Sequence, residues 1–309
     1  LSILINIIIN FIKLKKMRLD VHIGLHKTAS TSFQEFLYIN KNELSNVGVL
    51  YPDEDINKSH FELPFRILKN DWAFIEEFLK INLLLAKRKK MNSVFISSED
   101  FETIFVDSFH AVQFENIALK LGYSAINWMC VLRNQWDYFN SLYAQLSSLK
   151  GTLNYSAAAH DVVHFGELSI GSGSNKWRFA FDYDFYIDRF LKNISGSLST
   201  FSFENFINDD IVGMEIINTV INCKDRERAF WESDLKFISK SNIRSNKENV
   251  EINYLANFLG IEMSESFYLQ NKNLFSPLVK YRLDLNGLAK EDLIKKFKLR
   301  FPQISQRLE

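Results

Sequence analysis

Short apolar runs alternate with longer amphipathic ones along most of this chain. Leu19 to Ile23 alternates well enough to predict a strand, closed by Gly24, and the spacing of Phe33, Phe36, Leu37 and Leu44 predicts a helix after it. Val47 to Tyr51, stopped by Pro52, predicts a second short strand. A helical stretch follows His60 to about Lys69, and a long amphipathic helix is expected over Trp72 to Lys90, its basic end suiting the C-terminal dipole. SVFIS (Ser93 to Ser97) reads as a buried strand, and Phe109 to Leu121 as a helix. INWMCVL (Ile126 to Leu132) is the continuous apolar run of a central parallel strand. Trp136 to Leu149 is predicted helical. Gly151 to Ser174, polar and bearing His160 and His164, reads as a mobile excursion of loop. Phe179 to Leu191 has helical spacing, Leu198 to Phe203 reads as a strand, and Ile211 to Asn222 as a helix. No repeat, low-complexity tract or linker divides the chain.

Composition narrows the picture by exclusion. Thirty-seven basic residues balance 37 acidic ones in 309 residues, so bulk charge does not drive nucleic-acid binding, and any anion site has to be local. Cys130 and Cys223 are far apart and form neither a disulfide framework nor a zinc spacing, which fits a reducing cytoplasm. No metal cluster is visible in the sequence. Leu1 to Ile12 is strongly apolar and is followed by Lys13, Lys15, Lys16 and Arg18. It is short for a bilayer span and lacks a small-residue cleavage site. We read Met17 as the biological start and residues 1–16 as an extension of the gene model, with membrane contact expected only through them. Residues 17–309 are expected to form one domain.

The chemistry gathers in Met17 to Gln34. A strand ending at Gly24 leads into His26, Lys27, Thr28, Ala29, Ser30, Thr31 and Ser32, and then into a helix. Free N–H groups of a first helical turn, the helix dipole and one lysine make a local anion cradle. A Walker loop, G-x-x-x-x-G-K-[ST], carries its lysine late; here the lysine comes first and the hydroxyls follow. Taken alone, the loop reads equally as an ordinary strand–helix turn with a capping hydroxyl. A second signal lies at the end of the INWMCVL strand: Arg133-Asn134-Gln135-Trp136-Asp137-Tyr138-Phe139-Asn140-Ser141-Leu142-Tyr143. An arginine at a strand end and a serine two turns into the next helix can converge on one anion.

Together these stretches resemble the sulfotransferases that use 3′-phosphoadenosine 5′-phosphosulfate (PAPS). His26-Lys27-Thr28-Ala29-Ser30-Thr31 is similar to the family's 5′-phosphosulfate loop, P-K-[ST]-G-[ST]-[ST], with alanine at the usual glycine. Arg133, Asn134, Asp137, Ser141 and Tyr143 match the 3′-phosphate motif R-[ND]-P-x-D-x-x-x-S-x-Y, with Gln135 at the proline. The resemblance covers Met17 to Asn205 through these motifs. It implies an α/β fold of three layers, with a central parallel sheet like that of the P-loop NTPases flanked by helices. It implies sulfuryl transfer from PAPS, without a metal, to a hydroxyl of a carbohydrate or glycoconjugate; no nucleic-acid partner is expected.

On that resemblance Lys27 and the segment Thr28, Ala29, Ser30, Thr31 and Ser32 would hold the 5′-phosphate, and Arg133 and Ser141 the 3′-phosphate. A late basic segment, Arg244, Ser245, Asn246 and Lys247, would close over the nucleotide. Glu99, just past the SVFIS strand, is the first candidate for the base that takes the acceptor's proton, with a helix-capping or solvent-facing carboxylate as its other reading. His60 is the second candidate base, because histidine titrates near neutrality; a packed or surface histidine is its simpler reading. A nucleotide-dependent kinase and a nonenzymatic nucleotide- or glycan-binding protein on a decayed scaffold stay open beside this reading.

Overall fold

The computed structural model describes residues 16–53, 58–148, 153–171, 176–208, 211–221 and 291–301, with 255 and 277 as single positions. Residues 1–15 and the Arg244–Lys247 segment lie outside the described residues. Among the described residues no helix is long and apolar enough to cross a membrane.

The apolar runs become a five-stranded sheet in the order β2-β3-β1-β4-β7. Its strands are β1 (Arg18–Gly24), β2 (Val49–Leu50), β3 (Ser93–Ser98), β4 (Ala125–Leu132) and β7 (Ser197–Ser202), and every pairing is parallel. Parallel neighbours require crossovers, and helices supply them on both faces. The pleat then sorts the side chains. Leu19, Val21 and Ile23 of β1, Val94 and Ile96 of β3, and Ile126, Trp128 and Cys130 of β4 face one layer. That layer consists of α3 (Glu62–Leu68), α4 (Trp72–Arg88), α5 (Glu102–Val106), α6 (Ser108–Leu121) and α9 (Tyr183–Asn193). Phe95, Met129 and Val131 face the other, with α1 (Ser30–Ile39), α2 (Lys41–Asn46), α10 (Phe203–Asn208) and α11 (Met214–Ile221). This is the three-layer α/β arrangement expected from the sequence.

Three readings change. Leu44 does not continue the first helix: the chain breaks at Asn40, whose side-chain amide and backbone N–H both donate to the Phe36 carbonyl, and α2 starts afresh. The stretch read as a loop excursion instead carries the helix α8 (Tyr155–Phe165), capped by Asn154 and ended by Gly166, and the strand β5 (Glu167–Ile170). β5 pairs antiparallel with β6 (Trp177–Ala180), so the head of the expected Phe179–Leu191 helix is strand and the helix starts only after Asp182, its N-cap. Together with α7 (Gln135–Ser148), the hairpin and α8 build a third apolar cluster, which Leu293, Phe297 and Phe301 complete.

At the N-terminal edge of the sheet the fold is tied by a buried carboxylate. Glu115 accepts from Trp128 Nε1 at 2.7 Å, Ser195 N at 2.6 Å, Ser195 Oγ at 2.7 Å and Gly196 N at 3.1 Å. Gly196 has to be glycine here, because a Cβ would meet the Ile126 carbonyl oxygen at 2.4 Å. Glu115→Gln would turn an amide N–H₂ toward these donors. We expect a loss of about 2–3 kcal/mol, read as a lower denaturant midpoint at unchanged m-value.

Candidate anion site at the carboxyl ends of the strands

The site forms where adjacent strands send the chain to opposite faces. β1 leads to α1 on one side and β3 to α5 and α6 on the other, which opens a crevice beyond their carboxyl ends. The register puts Ile23 beside Ser98 and Gly24 beside Val131. Glu99 and Arg133, each just past its strand, therefore flank the loop that follows Gly24. Gly24 itself leaves no room for a side chain: a Cβ would come within 2.9 Å of Ser30 Cβ and 3.3 Å of the Glu99 Cα.

The loop is tightly wound. Lys27 and Ala29 both have positive φ, 62° and 59°. Thr28 Oγ1 donates to the Leu25 carbonyl at 2.5 Å, and helix α1 opens with Phe33 N donating to the Ala29 carbonyl at 3.1 Å. The N–H groups of the preceding turn thus have no intrahelical acceptor. Alanine occupies a left-handed position where glycine is the natural choice. Arg133 reaches across from β4 and its Nη1 donates to the Lys27 carbonyl at 2.6 Å, while its guanidinium lies 4.5 Å from the ring of Phe203. The two motifs separated by a hundred residues thus meet at one peptide group. Asn134 caps α7 by accepting from Trp136 N at 3.0 Å, and Ser141 sits half-buried two turns along it.

Not every expected donor is free. The hydroxyls of Thr28 and Ser30 serve the loop itself, Ser30 Oγ donating to Glu99 Oε2 at 2.8 Å. Ser32 is buried and Thr31 exposed. Glu99 is half-buried, and among the described residues its Oε1 accepts no hydrogen bond.

His60 lies elsewhere in function. It is buried, accepts from Ser97 N through Nδ1 at 3.1 Å, and its Nε2 lies 3.2 Å from the Pro52 carbonyl. With Nδ1 accepting, Nε2 carries the proton and donates, so neither nitrogen is free to take another. Burial, only partly countered by the backbone bonds to Ser97 and Pro52, brings its pKa down to about 4. His60 is a neutral structural link, which corrects its reading as a candidate base. His22, on β1 against Ser97 Oγ at 2.8 Å, is likewise buried and pushed down to about 3 by desolvation.

Sequence reasoning placed His26 in the loop but missed the carboxylate beneath it, Glu102. His26 is buried, with Nδ1 3.0 Å from Glu102 Oε2 and Nε2 3.4 Å from Asp100 Oδ1. Burial lowers its pKa, but the bonds to Asp100 and Glu102 and the charges of Glu102 and Glu99 outweigh that and raise it to about 10. The available signal was one carboxylate inside an apolar run, FETIFV, three residues after Glu99. Among the described residues no group of three or more His, Cys, Asp or Glu side chains comes together as a metal site.

No family model matches the chain, and no curated protein matches it. Among solved structures, a sulfotransferase from Alicyclobacillus acidocaldarius is similar over 79% of this chain and 96% of its own, at 9% identity and a TM-score of 0.40. A likeness of that size carries no argument about chemistry, which has to come from the side chains.

Two outcomes follow from this geometry. Ala29→Gly should change stability by less than about 1 kcal/mol, relief of the left-handed alanine being offset by the freer unfolded chain, whereas Ala29→Val should cost about 2 kcal/mol; chemical denaturation reads both. His22 and His60 are neutral when folded and take up protons on unfolding, so their contribution is present above pH 6.5 and is lost as pH falls toward 4. His60→Gln should flatten the acid limb of stability against pH by about 1.4 kcal/mol per pH unit.

Proposed function

We propose that this protein is a PAPS-dependent sulfotransferase that acts on a hydroxyl of a carbohydrate or glycoconjugate. The observation that carries the reading is the 2.6 Å hydrogen bond from Arg133 to the Lys27 carbonyl, which joins the two anion-binding motifs at one crevice. A ligand with two phosphate groups, one at each end of a ribose, suits two such motifs better than a nucleotide with a single phosphate chain.

PAPS supplies the sulfuryl group and leaves as 3′,5′-adenosine bisphosphate. In-line transfer breaks the S–O bond to the 5′-phosphate as the acceptor oxygen bonds to sulfur, and the bond's electron pair goes to the phosphate. The first-turn N–H groups of α1 and the Lys27 ammonium bind that phosphate and stabilise its growing charge. Arg133 and Ser141 hold the 3′-phosphate. Arg244, Ser245, Asn246 and Lys247 belong to the same reading as a basic segment over the nucleotide. Glu99 takes the proton of the acceptor hydroxyl, and Ser30 Oγ fixes one carboxylate oxygen so that the other faces the reaction. Positioning and electrostatics do most of the work, as in phosphoryl transfer. The acceptor class rests on the motif resemblance alone.

Thermal unfolding with 3′,5′-adenosine bisphosphate, 5′-AMP and Mg-ATP tests the donor site. The bisphosphate at about a hundred times its dissociation constant should add about 2.7 kcal/mol of stability. Arg133→Ala should weaken its binding and remove the preference over 5′-AMP, and Lys27→Ala should weaken both ligands. Glu99→Gln should keep the binding and lower turnover by about 10²–10⁴-fold. Preference for Mg-ATP would move the reading to a kinase, and binding without turnover on any acceptor to a nonenzymatic protein.

A further inference from the structure

Glu102 is wholly buried and accepts only. Its Oε2 takes His26 N and His26 Nδ1, both at 3.0 Å, and its Oε1 takes Ala180 N at 2.8 Å. The Tyr138 hydroxyl lies 2.7 and 2.8 Å from the two oxygens. These donors come from three separate places: the loop after β1, helix α7 behind Arg133, and strand β6 of the hairpin. Side-chain packing follows the same lines. Tyr138 stacks on Phe181 at 4.7 Å, and the His26 ring meets Phe179 edge-on at 5.1 Å and Trp177 at 6.2 Å.

We propose that Glu102 is the positioning residue of the anion site: its carboxylate locks the loop, the helix following Arg133 and the β5–β6 hairpin into one unit, and thereby sets the affinity for the bisphosphate nucleotide. The effect on nucleotide affinity rests on the donor-site reading; the locking of the loop does not.

Both nitrogens of His26 face carboxylate oxygens, which only accept, so both carry protons and the ring is a cation. The cation stands next to Lys27 in sequence and adds to the positive potential beneath the loop. The charged groups facing it are Glu99 and Asp100 from the turn after β3 and Glu102 from α5; Cys130 of β4, Tyr138 of α7 and Tyr183 of α9 lie within electrostatic reach of Glu102, and Arg133, just past β4, donates to the carbonyl of the adjacent Lys27. Glu102 is the partner that also grips the His26 backbone, so its loss frees both the charge and the chain. The high pKa of His26 agrees with this geometry.

The experiment compares the wild type with Glu102→Gln, Tyr138→Phe and Glu115→Gln. The last removes an equally buried carboxylate remote from the loop. The His26 imidazole is followed by NMR from pH 6 to 9 without ligand, and affinity for 3′,5′-adenosine bisphosphate by calorimetry from pH 7 to 9. Wild type should show no His26 titration and a flat affinity. Glu102→Gln should bring the His26 titration into the range and weaken binding at least tenfold, more at higher pH. Tyr138→Phe, which keeps the ring stack, should weaken binding a few-fold, and Glu115→Gln should change neither readout. The inference is overturned if folded Glu102→Gln keeps wild-type His26 titration and affinity, or if Glu115→Gln weakens binding equally. If Glu102→Gln does not fold, unchanged affinity in Tyr138→Phe overturns it. A wild type that does not bind the bisphosphate sinks the donor-site reading, and the His26 titration then decides alone whether Glu102 holds the loop.

Discussion

Lys27 and Ala29 adopt left-handed backbone angles that cost side-chain-bearing residues of order 1–3 kcal/mol each. Such a loop persists only where its surroundings over-determine it, and here they do. Thr28 closes the turn onto Leu25, Arg133 fixes the Lys27 carbonyl, and Glu102 grips His26 by backbone and ring. Each restraint comes from a different element. The winding of five residues therefore depends on the sheet order, which lays the ends of β3 and β4 on either side of β1.

Two buried carboxylates divide the work of holding that sheet. Glu115 gathers Trp128, Ser195 and Gly196 at the edge where the strands begin; Glu102 gathers His26, Tyr138 and Ala180 at the edge where they end. A buried carboxylate is costly unless its lone pairs are filled, and both are filled by donors distant in sequence. The difference is what each donor carries. Glu115 ties framework to framework, whereas Glu102 ties framework to the loop between β1 and α1. The histidines divide in the same way: His22 and His60 are buried with neutral hydrogen-bond partners and stay uncharged, and His26 is buried against carboxylates and stays charged.

Local pattern and pairing partner diverge where composition is ambiguous. Gly151 to Ser174 carries glycine, serine and histidine, and by composition reads as loop. Asn154 and Gly166, a cap and a left-handed stop, nevertheless delimit α8 within it. Trp177 to Ala180 is aromatic enough to suit either period, and becomes strand only because Glu167 to Ile170 lies opposite. Helix start signals are local, and Asp182 shows where that helix has to begin.

The sequence by itself determined the buried strands and the loop between the first of them and its helix. Those depend on apolar runs and small residues that are contiguous, so their signal is written in neighbouring positions. It also carried both stretches that resemble anion motifs, because each spans a single strand end and the helix after it. Only the tertiary structure decided which of the candidate side chains are taken up by the fold. Thr28 and Ser30 spend their hydroxyl protons on the loop, His60 is closed off by two backbone groups, and Glu102 enters from an apolar run to hold the site. The physical reason is that a hydrogen-bonding group is defined by its partner, and these partners lie tens of residues away, brought together only when the sheet is complete.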